Sequence, residues 1–184
     1  IMPAIHLPVQ SGNSEVLKRM GRRYTRGDYL TLFDKIKTKI PDCTITTDII
    51  VGFPGETDAQ FEDTLSLYEY CEYYLAYTFS YVPRAGTPAA KMEYDIEIHT
   101  KEQRLYRLND LVNEKALKQN QKYLNEVVEV LVEGTSKRDD QMLTGYTKHQ
   151  KLINFKGNPQ HIGQIVPVRV TEVKTWALKG EEIE

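Results

Sequence analysis

Cysteine is scarce in this sequence, whose 184 residues include only Cys43 and Cys71. The two cysteines lie 28 positions apart, which matches neither a metal-ligand spacing nor the cysteine framework of a small secreted domain. We therefore expect two thiols that pack in a core, no metal site formed by them, and a reducing compartment. The location predicted from this is cytoplasmic.

Long apolar runs are also missing. No stretch approaches the roughly 18 residues that a membrane-spanning helix needs, so we expect no membrane partner and no signal peptide. The chain has neither a P-loop nor a G-x-G-x-x-G motif, which argues against two common nucleotide-binding folds. Its hydrophobic content of 40% and charged content of 27% are typical of a protein that buries a core.

The net charge of −2 hides an uneven distribution. Residues 1–40 hold eight Lys and Arg against three Asp and Glu, whereas residues 41–122 hold eight against fourteen. The basic residues concentrate in one short stretch and are Lys18, Arg19, Arg22, Arg23 and Arg26. Such a cluster can bind phosphates or can be a solvated helix face, and charge alone leaves both open.

Three predicted strands alternate with helices over residues 1–122. The strands are β-branched or apolar runs at 4–7, 44–51 and 75–82. Three capping-box signatures mark helix starts: Thr25 with Asp28, Thr57 with Gln60, and Thr100 with Gln103. This alternation predicts an α/β fold with a parallel sheet, in which ligands bind beyond the carboxyl ends of the strands.

A different pattern begins after residue 122. Residues 123–184 contain five short runs that are alternating or β-branched, separated by Gly, Asn and Pro. This pattern predicts a small closed antiparallel barrel and a domain boundary near residue 122.

Single residues at the strand ends are ambiguous. Glu56 precedes a helix and could simply favour the helix dipole. Asp48 lies inside a strand, where a carboxylate needs a partner or a polar cavity. His6 is more often a core histidine than a ligand, and we favour that interpretation.

Five linked motifs carry a resemblance to a known family. They are HLPVQSGN, MGRRYTRGDY, TTDIIVGFPGET, FSYVPRAGTPAA and VLVEGTSKRDDQMLTGYTKHQKLINFKG. Together they resemble the radical-SAM methylthiotransferases, in particular the branch that acts on tRNA. The resemblance implies the C-terminal half of a partial TIM-type barrel followed by a TRAM barrel. It also implies radical chemistry with S-adenosylmethionine, which inserts a methylthio group at C2 of an isopentenylated adenosine beside the anticodon.

The resemblance suggests roles for residues that match the motifs. Those expected to bind S-adenosylmethionine are Gln10, Ser11, Arg22, Asp48, Gly52, Gly55 and Glu56. Those expected to contact the nucleotide or the tRNA anticodon stem-loop are Arg84, Lys137, Arg138, Lys148 and Lys151. Tyr146, Phe155 and Trp176 could stack on bases, although core packing is favoured for the last two.

The family's CxxxCxxC motif is absent from the 184 residues. The ligands of the two 4Fe–4S clusters of the implied parent enzyme are therefore missing, and we predict that this chain is a fragment that needs N-terminal domains and is inactive alone. Two alternatives stay open: a methylthiotransferase acting on an aspartate of a ribosomal protein, and a non-enzymatic RNA-binding module. We also expect self-association through the unpaired first strand.

Overall fold

The computed structural model describes residues 2–93, 95–137 and 139–183. These divide into two compact units, with the change between Val112 and Asn113 and with residues 2–4 grouped with the second unit. The first unit contains a sheet and helices, and the second contains a barrel.

The sheet has three strands, β1 (Ala4–His6), β2 (Thr44–Val51) and β3 (Leu75–Ser80), in that spatial order. Strands β2 and β3 are parallel. This confirms the predicted α/β fold with a parallel sheet.

Within the described residues, four α-helices accompany the strands: α1 (Ser14–Arg19), α2 (Arg26–Lys39), α3 (Asp58–Cys71) and α4 (Ile98–Gln121). The capping boxes predicted for α2 and α3 form as expected at Thr25 and Thr57. The one predicted at Thr100 does not start α4, because the carbonyl of Glu97 already accepts a hydrogen bond from the Lys101 amide. In the described part of the chain, none of the helices has the length and apolarity needed to cross a bilayer.

Strand β2 has two unlike faces. Ile45, Ile49 and Val51 are buried with Phe61 and Leu108 in the core that the helices cover. The opposite face is only partly buried and carries Thr46, Asp48 and Ile50. Since side chains of a strand alternate between faces, Asp48 lies on the side away from this core.

The barrel closes five strands in the order β4-β5-β6-β8-β7, with bounds Val127–Ser136, Asp139–Thr147, Leu152–Lys156, Ile165–Val173 and Leu178–Glu182 in chain order. Its core includes Val130, Ile153, Phe155 and Val168. The prediction of a fully antiparallel barrel is wrong at one pair, since β6 and β8 are parallel. The reason is geometric: a closed ring with an odd number of strands cannot alternate direction throughout.

Candidate ligand site at the strand ends

A cavity of about 730 Å³ lies where the three strands of the sheet end. We call it the strand-end cavity. Four residues singled out from the sequence line it: Gln10, Arg22, Asp48 and Arg84. The folding of three distant segments into one parallel sheet brings these side chains together, as expected for the carboxyl edge of such a sheet.

Apolar and aromatic side chains form much of the remaining lining of the strand-end cavity. Ile50 and Phe79 come from neighbouring positions of β2 and β3 that face each other in register. Phe53 and Tyr81 follow the ends of the same strands, and their rings pack edge to face with centroids 5.1 Å apart. The cavity therefore combines a carboxylate and guanidinium groups with flat apolar surfaces.

Gln10 enters the cavity through an unusual backbone conformation. Its φ of 68° lies in the left-handed region, which is costly for a residue other than glycine unless the surroundings hold it. Two hydrogen bonds to β2 do so: the Gln10 amide donates to the Asp48 carbonyl at 2.8 Å, and the Gln10 carbonyl accepts from the Ile50 amide at 2.9 Å.

Only part of the basic cluster reaches the cavity. Arg19 and Arg22 line it, and Arg19 also donates to the Gln60 side chain at 2.9 Å. Arg26 has a structural role instead, because its guanidinium donates to the carbonyls of Gly12 and Asp63 and to the Ser66 hydroxyl.

The other predicted cofactor residues lie outside the lining of this cavity. Ser11 is fully buried, and its hydroxyl lies 3.5 Å from that of Thr64. Gly55 occupies the turn after β2 with φ of 73°. Their placement indicates that they shape the turns around the cavity rather than its wall.

Glu56 is buried in an ion pair behind the turn. One of its carboxylate oxygens accepts from the Gly52 amide at 2.7 Å and from the Arg104 guanidinium at 2.9 Å. Burial raises the pKa of Glu56, while the Gly52 amide and the Arg104 charge oppose that shift. Arg104 also donates to Asp58 at 2.7 Å, so one arginine of α4 holds both the turn and the start of α3. No sequence pattern predicts the role of Arg104, which lies 48 positions from Glu56.

Gly52 is required by a side chain of α4. Its φ is +71°, and a Cβ at this position would lie 2.5 Å from Cγ of Lys101. The Lys101 ammonium in turn binds Asp95 at 2.5 Å and lies 5.5 Å from the ring centroid of Tyr81. The structure thus explains this glycine through helix packing behind a wall of the cavity.

His6 lies beside Asp48, which was not predicted from the sequence. His6 was expected to be a core histidine, yet its side chain is 47% exposed. Its ring contacts Thr46 and Asp48 of β2, and no sequence motif signals this pairing across 42 positions.

The predicted RNA-binding residues of the barrel have mixed positions. Lys137 and Lys148 are exposed, and Arg138 lies outside the described residues. Lys151 is only 3% exposed, and its ammonium donates to the side-chain oxygen of Asn120 at 2.9 Å. Its burial removes Lys151 from the groups that could meet a phosphate at the surface.

The three candidate stacking residues differ in the same way. Phe155 is fully buried in the barrel core, as expected. Trp176 is 53% exposed, so the preference for core packing was wrong for this residue, and Tyr146 is 38% exposed.

The described side chains do not form the arrangement that a metal ion needs. Among residues 2–93, 95–137 and 139–183, no three His, Cys, Asp or Glu side chains group closely enough to hold a metal ion. Both cysteines are buried thiols, and burial raises the pKa of Cys71 to about 11, away from the thiolate form that binds iron.

Two family models match the chain. Residues 2–68 match the Radical SAM superfamily, and residues 121–183 match the TRAM domain. A solved structure, that of coproporphyrinogen III oxidase from Escherichia coli, described as a Radical SAM enzyme, aligns with a TM-score of 0.54 and 13% identity. The alignment covers 98% of this chain and 45% of that one, and at this identity it shows the fold alone.

Curated relatives are much closer in sequence. Proteins named tRNA-2-methylthio-N(6)-dimethylallyladenosine synthase are 59% identical over 96% of this chain in Geobacillus kaustophilus and 55% identical over its full length in Bacillus subtilis. The chain spans about a third of their length, 33% and 36% respectively. With its radical SAM segment and its TRAM domain, the chain belongs to the radical-SAM methylthiotransferase family.

Proposed function

We propose that this chain is part of an enzyme that inserts a methylthio group at C2 of an isopentenylated adenosine next to the anticodon of tRNA. The observation that carries the proposal is the 53–59% identity to synthases named for this product, which extends through both units of the chain. Because the chain spans about a third of those relatives, the activity, substrate and location in the cytoplasm are proposed for the complete protein.

The strand-end cavity suits S-adenosylmethionine chemically. This cofactor carries positive sulfonium and ammonium groups, a carboxylate and an adenine ring. Asp48 offers a carboxylate for the positive groups, Arg22 offers a guanidinium for the carboxylate, and Phe79 offers an apolar surface for the ring. When bound, the cofactor supplies the hydrogen-abstracting radical, while the protein orients it and excludes side reactions.

An iron–sulfur cluster does not fit the residues of this chain. Cys43 and Cys71 are 2% and 1% exposed and belong to the helix-covered core of the sheet unit. We propose that the 4Fe–4S clusters of the complete enzyme take their ligands from residues outside this chain. After reconstitution, the isolated chain should therefore bind neither iron nor sulfide in stoichiometric amounts. A stoichiometric iron–sulfur cluster on the isolated chain would contradict this proposal.

The barrel is the part proposed to hold the tRNA anticodon stem-loop. Lys137 and Lys148 offer exposed charges, and Tyr146 and Trp176 offer exposed rings. If phosphate contacts dominate, the affinity of the complete protein for the stem-loop should fall steeply with salt. An affinity that does not change with salt would count against this role.

The activity can be tested in a strain that lacks the gene for the complete protein. Mass spectrometry of its tRNA nucleosides should show loss of the 2-methylthio nucleoside and accumulation of the isopentenyl form. A plasmid copy should restore the modification, and the Asp48→Asn copy should restore much less. If tRNA is unchanged and a ribosomal protein instead loses a methylthio group, the alternative substrate is correct.

A further inference from the structure

His6 lies on the polar face of the sheet unit, beside a residue of the strand-end cavity. It ends β1, and its ring contacts Thr46 and Asp48, two residues of β2 that point to the same face. Asp48 lines the cavity, whereas His6 is not among its lining residues. His6 therefore contacts a carboxylate of the cavity lining without lining the cavity itself.

Both nitrogens of the imidazole have partners. Nδ1 lies 2.9 Å from the Thr46 hydroxyl, and Nε2 lies 3.4 Å from Oδ2 of Asp48. A threonine hydroxyl can donate or accept a hydrogen bond, so Thr46 can support Nδ1 with or without a proton. The Thr46 contact at Nδ1 limits rotation of the ring and leaves Nε2 on the side of Asp48.

A third strand supports the same arrangement. Tyr77 of β3 is paired in register with Asp48, and its ring meets the His6 ring edge-on with centroids 6.1 Å apart. The imidazole is thus held by contacts from β2 and from β3. Such support is what a side chain needs when its orientation matters.

The Asp48 carboxylate keeps capacity for a ligand. Its side chain is 29% exposed, and among the described residues its only side-chain partner is His6, through Oδ2. An ionised carboxylate has about four acceptor positions, so Oδ1 remains available to the cavity. The His6 contact restricts how the carboxylate rotates and so sets where Oδ1 points.

We propose that His6 is a positioning residue that holds Asp48 so that its carboxylate accepts hydrogen bonds from amino or hydroxyl groups of an adenosyl ligand in the strand-end cavity. The identity of that ligand rests on the proposed function, whereas the His6–Asp48 contact does not. An exposed pair of this kind contributes little to stability, so its value lies in ligand binding.

The contact itself is tested by NMR of the chain with ¹⁵N-labelled histidine. The His6 resonances should show a proton on Nε2, and Asp48→Asn should shift them while leaving those of His149 unchanged. If the His6 resonances do not shift in Asp48→Asn, the contact is absent in solution and the positioning role is wrong.

The role is tested by calorimetry with S-adenosylhomocysteine, an uncleavable analogue, on the complete protein. His6→Phe and Asp48→Asn should each weaken binding about tenfold, as expected for loss of a hydrogen bond to a charged group. The double variant should bind no worse than Asp48→Asn alone, because His6 acts through Asp48. His6→Gln should stay within about threefold of the wild type, since its amide can donate to the same oxygen.

The outcomes separate the two proposals. Wild-type binding that is unaffected by His6→Phe, or losses that add in the double variant, would overturn the role of His6 alone. If the wild type does not bind the analogue, both the ligand assigned to the cavity and this role fail.

Discussion

The two units differ in how the faces of their strands are buried. In the sheet unit, β2 buries one face under helices and leaves Asp48 and Ile50 on the other face, which opens into the strand-end cavity. In the barrel, the ring of strands is closed, and inward side chains such as Phe155 are fully buried. The open face of the sheet has side chains that a ligand can contact, whereas the inward side chains of the barrel form a core that stabilises the fold.

A matched pair of phenylalanine substitutions tests this difference most strongly. Phe155→Ala should cost about 3–5 kcal/mol of stability, because it empties a site in the barrel core. Phe79→Ala, at a residue that is 51% exposed, should cost much less and should instead weaken the binding of adenosyl ligands. Chemical denaturation of both variants measures this, and equal losses of stability would erase the contrast between the units.

Within the sheet unit, two arginines of α4 separate buried from exposed ion pairs. Arg104→Met should lower the free energy of unfolding by about 3 kcal/mol, since it leaves the buried Glu56 without its charge partner. Arg107→Met is the control: its pair with Glu62 is exposed on both sides and should contribute less than about 1 kcal/mol.

Both arginines also lie near the ring of Phe61, so loss of that contact is shared by the two variants. A result in which both cost the same would mean that the Glu56 pair does not stabilise the turn after β2.

The barrel contains a buried lysine, which predicts a pH dependence of stability. Desolvation lowers the pKa of Lys151 to about 7 from the usual 10.5. Between these values the unfolded chain binds more protons than the folded one, so stability should rise with pH by up to about 1.4 kcal/mol per unit. The gain is lost as the pH falls from 10.5 towards 7.

Denaturation between pH 7.5 and 9.5 checks this prediction by comparing the wild type with Lys151→Met. The variant should show a flatter profile, and Lys148→Met, at an exposed site, should keep the wild-type slope. Identical profiles for the wild type and Lys151→Met would show that Lys151 does not titrate in this range.

The smallest expected effect concerns the open edge of the sheet. Strand β1 forms one edge of the described sheet, and because the Leu7 amide donates to β2, the Ala4 amide points outward. We expect weak self-association at high concentration by light scattering, reduced by Ala4→Pro, which removes an outward donor. A monomer at every concentration would contradict this.

Much of the fold could be predicted because its signals are local. The β-branched run at 44–51 became β2 at the same residues, and the capping boxes at Thr25 and Thr57 start helices as expected. The five runs of the second unit all became strands. Periodicity and capping are properties of neighbouring residues, so the sequence alone contains them.

The remaining features depend on partners far apart in the chain. Arg104 meets Glu56 across 48 positions, and Asn120 meets Lys151 across 31. His6 could be recognised as a polar neighbour of Asp48 only once β1 and β2 were paired. The cavity itself was predictable, because parallel strands end at one edge, whereas the choice between lining and buried residues depended on packing.

The proposed role of the strand-end cavity is to hold an adenosyl cofactor. A crystal structure of the complete enzyme with S-adenosylmethionine tests it most directly. We expect the cofactor within hydrogen-bond distance of Asp48 and close to Arg22, with its adenine against the aromatic side chains that line the cavity. A cofactor bound elsewhere, with Gln10, Asp48 and Arg84 untouched, would contradict it.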